Sequence, residues 1–90
     1  MKLKEVRYFL AICEEGTFTG AAKRCGVSQP SLSNAIVRLE QKLGERLFYR
    51  KPGNVSLSKF GQTLRPYFQK LDRCAESIYR VADRLTKAAK

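Results

Sequence analysis

Within Ser28-Gln-Pro-Ser-Leu-Ser-Asn-Ala-Ile-Val-Arg-Leu-Glu-Gln-Lys-Leu43, a 3.6-residue period puts Pro30, Ser33, Asn34, Val37, Arg38 and Gln41 on one side. These are short polar groups, one methyl-bearing residue and a single Arg. Such a face suits hydrogen bonding to the edges of nucleic-acid bases; a merely solvated helix face is usually denser in Lys and Glu. A second set, Arg50, Lys51 and Asn54, surrounds the turn cluster Lys51-Pro52-Gly53-Asn54. Cations and an amide at such a tip fit phosphate oxygens or a minor groove, with an ordinary solvated turn as the alternative. Acid–base and nucleophilic chemistry find no support. The chain has no His, no paired carboxylates on a shared face, no Gly-rich phosphate loop and no nucleophile beside a base, which argues against an enzyme. Cys13, Cys25 and Cys74 are odd in number and irregular in spacing, without CxxC. They read as small buried or half-buried thiols in a reducing cytoplasm, not as a disulfide framework or a metal site. No cofactor is expected.

The elements that must hold these residues follow from period and punctuation. Ser28 caps the third helix, Pro30 falls in its first turn where a missing N–H costs nothing, and Gly44 stops it. Leu32, Ile36, Leu39 and Leu43 form its apolar side. The first helix spans Leu3 to Glu15, with Leu3, Val6, Leu10 and Cys13 as its stripe, widened by Phe9 and Ile12, and Gly16 as its stop. Phe18 is expected to plug the core. Thr19 is expected to cap a short second helix, Gly20 to Cys25, in which Ala21 and Ala22 allow close helix contact. Gly26 ends that helix and Val27 drops into the core. Two helices joined by a short Gly-containing turn form a helix-turn-helix.

After Gly44 the period changes. Leu47 to Arg50 and Val55 to Leu57 read as two strands about the Pro-Gly turn, a wing that must lean on the helices because two strands alone are barely stable. Ser58 caps a last helix from about Lys59 to the C-terminus. In it Leu64, Phe68, Leu71, Ala75, Ile78, Ala82, Leu85 and Ala89 alternate steps of four and three, the period of a coiled coil. Tyr67, Cys74 and Val81 flank this seam, and Pro66 is expected to bend the helix. About 28 helical residues extend about 42 Å, beyond any body that the preceding residues could build. Packing on the chain's own domain can cover the stripe up to about Leu71. From Ile78 to Ala89 it would stay wet, so these helices are expected to pair in a homodimer.

Ninety residues suffice for one modest core. The formal charge of +10 points first to nucleic acid and second to an anionic membrane surface, with a plain solubility surface as the bland alternative. The excess is spread along the chain: Met1–Leu43 has seven Lys/Arg against four acids, Gly44–Ser58 three against one, and Lys59–Lys90 eight against three. No apolar run can span a bilayer and no signal-peptide pattern opens the chain; because a lipid surface would leave the third-helix face and the wing unexplained, no membrane partner is expected.

Leu3 to Leu57 resembles the N-terminal winged helix-turn-helix domain of the LysR-type transcriptional regulators, and Ser58 to Lys90 resembles their linker helix. The matching runs include Tyr8-Phe9-Leu10-Ala11, Gly16-Thr17-Phe18-Thr19, Ala21-Ala22-Lys23-Arg24 and Val27-Ser28-Gln29-Pro30-Ser31-Leu32-Ser33. They continue through Arg38-Leu39-Glu40, Leu43-Gly44, Leu47-Phe48-Tyr49-Arg50 and Val55-Ser56-Leu57-Ser58 with Gly61. The resemblance implies a mainly α fold: a winged helix-turn-helix over residues 1–58, then a dimerisation helix over 59–90. It implies a bacterial, cytoplasmic, nucleoid-associated regulator that binds an interrupted dyad-symmetric site on double-stranded DNA as a homodimer, or as a tetramer when full-length. The third helix would enter the major groove, with Gln29, Pro30, Ser33, Asn34 and Val37 toward bases and Arg50 of the wing at the minor groove. Thr19, Ser28, Ser31, Arg38, Lys51 and Asn54 would hold phosphates, and Leu64, Phe68, Leu71, Ala75, Ile78, Ala82 and Leu85 would pair the protomers. Asn34 departs from the Arg of many members, and Asn prefers adenine as a bidentate partner. Phe60 stands where a small Ala is usual. The family's C-terminal effector-binding domain, through which a small molecule would act, lies outside these residues, as expected of an excised fragment or a short natural form. A helical dimer docking an acidic protein or anionic lipid fits the charge and the seam as well, but leaves the third-helix face and the wing unexplained.

Overall fold

The computed structural model describes residues 1–88. Three helices, α1 (Leu3–Glu15), α2 (Phe18–Cys25) and α3 (Gln29–Leu43), precede a hairpin of β1 (Phe48–Lys51) and β2 (Asn54–Leu57), and α4 (Lys59–Ala88) closes the chain. The fold is mainly α, a winged helix-turn-helix with a long final helix, as expected. α1 and α3 have the bounds that their periods predict. Gly16, Gly26 and Gly44 end the first three helices in left-handed conformations that a side chain would strain.

The second helix begins earlier than expected. Thr17, not Thr19, is its cap: Thr17 is extended, and its hydroxyl accepts from the Gly20 N–H at 3.0 Å. Phe18 thereby becomes the first helical residue and is buried, whereas Thr19 faces solvent. The physical reason is Phe18 itself, whose ring reaches the core only if the helix starts at that residue. Leu43 also departs from expectation. It is 37% exposed because the last turn of α3 runs past the elements that bury Leu32, Ile36 and Leu39.

Four aromatic rings join the elements in series. Phe68 of α4 lies 4.5 Å from Phe9 of α1, Phe9 lies 5.2 Å from Phe48 of β1, and Phe48 meets Phe18 of α2 edge-on at 5.9 Å. Tilted and edge-on pairs at such spacings stabilise beyond their buried area. Val6, Ile12, Ala21, Ala22, Leu32, Ile36, Leu39 and Leu47 complete the core, with Val27 packed at its margin. The wing pairs Phe48 with Leu57 through Lys51 with Asn54, leaving Pro52-Gly53 as a two-residue turn with Gly53 at positive φ.

α4 is unbroken through Pro66 and carries the molecule to 53 Å in its longest dimension. Ser58 starts it: its hydroxyl accepts from the Gly61 N–H at 2.9 Å and donates to the Arg46 carbonyl at 2.6 Å. The expected seam, however, divides. Phe68 is 4% exposed and Ala75 is buried, both against the chain's own domain, with Leu64 half-buried beside them. Arg7 of α1 meets Asp72 at 3.5 Å and Glu76 at 3.7 Å on the same side. Own-domain packing thus reaches about one turn beyond Leu71, while Leu71 itself turns outward. What stays exposed is Tyr67, Leu71, Cys74, Ile78, Val81 and Leu85, with Ile78 at 66% and Leu85 at 63%. A repeat of 3.5 drifts around a helix of 3.6 residues per turn, so one run of sequence yields an inward and an outward stripe. Phe68 and Ala75, expected to pair protomers, are therefore core residues. Tyr67, Cys74 and Val81, expected only to flank the seam, lie on its exposed line. Ala82 is exposed, and Ala89 lies outside the described residues. Cys74 is also exposed rather than half-buried, unlike Cys13 and Cys25; all three thiols are free.

Candidate nucleic-acid interface

The first turn of α3 is built by Ser28, whose Oγ accepts from the Ser31 N–H at 3.2 Å and donates to Ser31 Oγ at 2.8 Å. Ser28 has thus used its hydrogen, and the Ser31 hydroxyl keeps one to offer outward. Gln29, Pro30, Ser31, Asn34, Arg38 and Gln41 are exposed, Val37 is 40% exposed, and Ser33 is only half-buried at the edge of the face. Leu32, Ala35, Ile36 and Leu39 fix the rotation of the helix by filling the core behind it. α2 crosses behind its start, with Thr19 exposed in the first turn.

At the wing, Arg50, Lys51 and Asn54 are all exposed, as expected of a tip that meets a ligand. The structure adds a contact that the sequence does not suggest. The Arg50 guanidinium lies 4.0 Å over the ring of Phe18, a cation–π contact that leans the wing on the start of α2. The root of the wing is tied as well. Glu40, on the penultimate turn of α3, accepts from the N–H of Leu47 at 2.7 Å and of Phe48 at 3.3 Å. The Leu47 carbonyl accepts from the Ser58 N–H at 2.8 Å.

Charge is sorted over this surface. The chain has no Asp or Glu between Glu15 and Glu40, and none between Glu45 and Asp72. That signal is legible in the sequence and marks the helix-turn-helix and the wing. Each of the eight acids has a partner. Glu14 and Glu15 hold Arg24, Asp72 and Glu76 hold Arg7, and Asp83 holds Lys87. Glu5, Glu40 and Glu45 accept from backbone N–H groups. Among the described residues Arg38, Arg46, Arg50 and Lys51 have no carboxylate partner, as is true of most cations in the chain, and the acid-free runs leave α3 and the wing with more basic than acidic side chains. Burial pushes the Cys13 thiol up to about 11, against a smaller opposing effect of Arg65, and pushes Cys25 up as well. Both are poor nucleophiles at neutral pH. No helix among the described residues is long and apolar enough to cross a membrane.

A helix-turn-helix with an acid-free outward face, backed by a basic two-stranded wing, defines a winged helix-turn-helix of the DNA-binding class. The chain belongs to the lysR family of bacterial regulatory helix-turn-helix proteins, whose sequence pattern residues 3–62 match. It is 47% identical over 62 residues to the transcriptional regulator BudR of Klebsiella aerogenes, covering 69% of this chain and 43% of that protein. It is 38% identical over 86 residues to the SDS degradation transcriptional activation protein of a Pseudomonas species, covering 92% and 28%. The chain thus spans less than half the length of these relatives. Among solved structures it is similar to the BenM DNA-binding domain in complex with catB site 1 DNA, with a TM-score of 0.89 and 34% identity over 96% of this chain and 97% of that one. The CbnR DNA-binding domain–DNA complex matches with a TM-score of 0.81 and 32% identity over the whole of both chains. The domain is a transcription regulator's DNA-binding module, not an enzyme.

Proposed function

We propose that this chain recognises specific duplex sequences as a homodimer and serves as the DNA-binding part of a bacterial LysR-type transcriptional regulator in the cytoplasm, at the nucleoid. α3 enters the major groove. Gln29 and Asn34 each offer a paired donor and acceptor to adenine, Pro30 or Val37 meets a thymine methyl, and Ser33 contributes at the edge of the face. Arg50 approaches the minor groove beside the wing. Ser31, its hydroxyl oriented by Ser28, holds a phosphate at the positive end of α3, while Thr19, Arg38, Lys51 and Asn54 fix register on the backbone. Residues 1–58 form the reading unit and residues 59–90 the dimerisation helix, with Leu71, Ile78 and Leu85 central to pairing. A longer chain would add an effector-binding domain and could assemble as a tetramer.

The observation that carries this reading is the outward face of α3: exposed, polar, free of acids and flanked by unpaired cations. Selection of bound sites from a random duplex pool tests it, with an enriched, dyad-symmetric, interrupted site as the expected result. Asn34→Ala is expected to cost about 1–3 kcal/mol at one base position and to relax the preference there. A loss of equal size on every sequence would make Asn34 a backbone contact. Recovery of no preferred sequence would favour a docking module instead.

A further inference from the structure

We propose that Glu40 is a positioning residue for DNA binding, its carboxylate setting the angle at which the wing meets the duplex. The proposal rests on the reading of the wing as a DNA contact given above.

The root of the wing, Arg46 to Phe48, is held at four backbone atoms. Ser58 takes the Arg46 and Leu47 carbonyls and thereby ties the root to α4. Glu40 takes the Leu47 and Phe48 N–H groups and ties it to α3. Other anchors lie elsewhere: Phe48 packs against Phe9 and Phe18, and Arg50 leans on Phe18. Between α3 and the wing lies an open cleft, lined by Val37, Gln41, Arg46, Phe48 and Arg50, that no side chain fills. Packing therefore does not fix the wing's angle on that side, and the hydrogen-bonded carboxylate does. Glu40 has no cationic side-chain partner among the described residues, and a single oxygen, Oε2, accepts from both main-chain N–H groups. One turn earlier on the same helix, Val37 belongs to the face that meets the base edges. A displacement of the wing relative to α3 changes the separation between the two groove contacts, and misplacement by about an ångström is enough to lose a charged hydrogen bond.

Charge and position predict opposite signs, which makes the idea testable. A carboxylate beside this face repels DNA, so if only its charge mattered, both Glu40→Gln and Glu40→Ala would tighten binding. Gln keeps a carbonyl oxygen for the two N–H groups, whereas Ala keeps none. Binding of the full chain to a random-sequence duplex is measured against salt, at a temperature where circular dichroism shows every variant folded. Glu40→Gln is expected to bind as well as the unaltered chain or slightly better. Glu40→Ala is expected to bind about tenfold more weakly at low salt and to lose about one unit of salt slope, as for one phosphate contact. Lys51→Ala is expected to lower the slope by about 0.9 in the unaltered chain and to change nothing further beside Glu40→Ala. That non-additivity separates positioning from simple loss of stability. If Lys51→Ala lowers the slope equally in both backgrounds, the wing binds DNA but Glu40 does not place it. If Lys51→Ala leaves the slope unchanged in the unaltered chain, the wing reading falls and the role of Glu40 falls with it. Tighter binding by Glu40→Ala would also overturn the proposal.

Discussion

Ser58→Ala probes the junction on which both the wing and the long helix depend. The Ser58 hydroxyl is 2% exposed as part of its residue and makes two hydrogen bonds: it caps α4 through the Gly61 N–H and donates to the Arg46 carbonyl. Loss of the cap costs about 1 kcal/mol. Loss of the second bond costs about 1–2 kcal/mol more, because a carbonyl at a half-buried root is left without its donor. The expected destabilisation is about 2–3 kcal/mol, which for a domain of this size lowers the melting temperature by roughly 10–20 °C. Urea and thermal unfolding at matched protomer concentration measure it, since association shifts the transition by mass action. Ser58→Gly gives a partition, because Gly at a cap loses only a few tenths of a kcal/mol, so what remains reports the bond to Arg46. A loss below about 0.5 kcal/mol in Ser58→Ala would refute the reasoning, since surface substitutions alone lie in that range.

Gly61→Ala should destabilise by about 1–3 kcal/mol, because a Cβ there would stand 2.5 Å from the Leu47 carbonyl oxygen and 2.7 Å from Leu57; an unchanged urea midpoint would contradict that packing. Ile78→Asp should shift the chain toward monomer in sedimentation and weaken binding to a two-half-site duplex, while a chain already monomeric without the substitution would remove the pairing role of the exposed stripe. The Cys13 thiol has its pKa raised in the fold, from 9.0 to about 11, so the fold favours the protonated form. That stability is complete below about pH 9 and is lost as the pH rises toward about 11. Cys13→Ala should flatten the alkaline decline of the urea midpoint, and an equal decline in both proteins would show that Cys13 does not drive it.

Local signals carried much of this structure. Hydrophobic period, Ser caps and Gly stops placed α1, α3 and the wing, because each is decided within a few residues of chain. Signals that depend on a distant neighbour were lost. Thr17 and Thr19 are equally good caps, and the burial of Phe18 among Phe48 and the helices is what selects Thr17. The seam in α4 reads as one stripe because the sequence does not reveal which side of α4 lies against α1, or how far along; contact with Phe9 and Arg7 draws Phe68 and Asp72 inward and leaves Leu71 out. The polar face of α3 was legible by what it lacks. Glu40 was not, since a Glu near a helix end usually faces solvent and its partners lie seven and eight residues away across a turn.

The stack of Arg50 on Phe18 has a consequence for the entropy of association. A free arginine at a loop tip samples many rotamers, and freezing such a side chain on binding costs about 0.5–1.5 kcal/mol. Here the guanidinium already rests on a ring that is itself wedged into the core, so most of that ordering is completed when the chain folds. Its N–H edge remains free while its face is occupied. On the proposed reading of Arg50 as a groove contact, Phe18, a residue of the interior, acts on recognition thermodynamically: replacing it by a smaller apolar residue would leave Arg50 charged and in place in the sequence, yet return to it a freedom that binding must then remove.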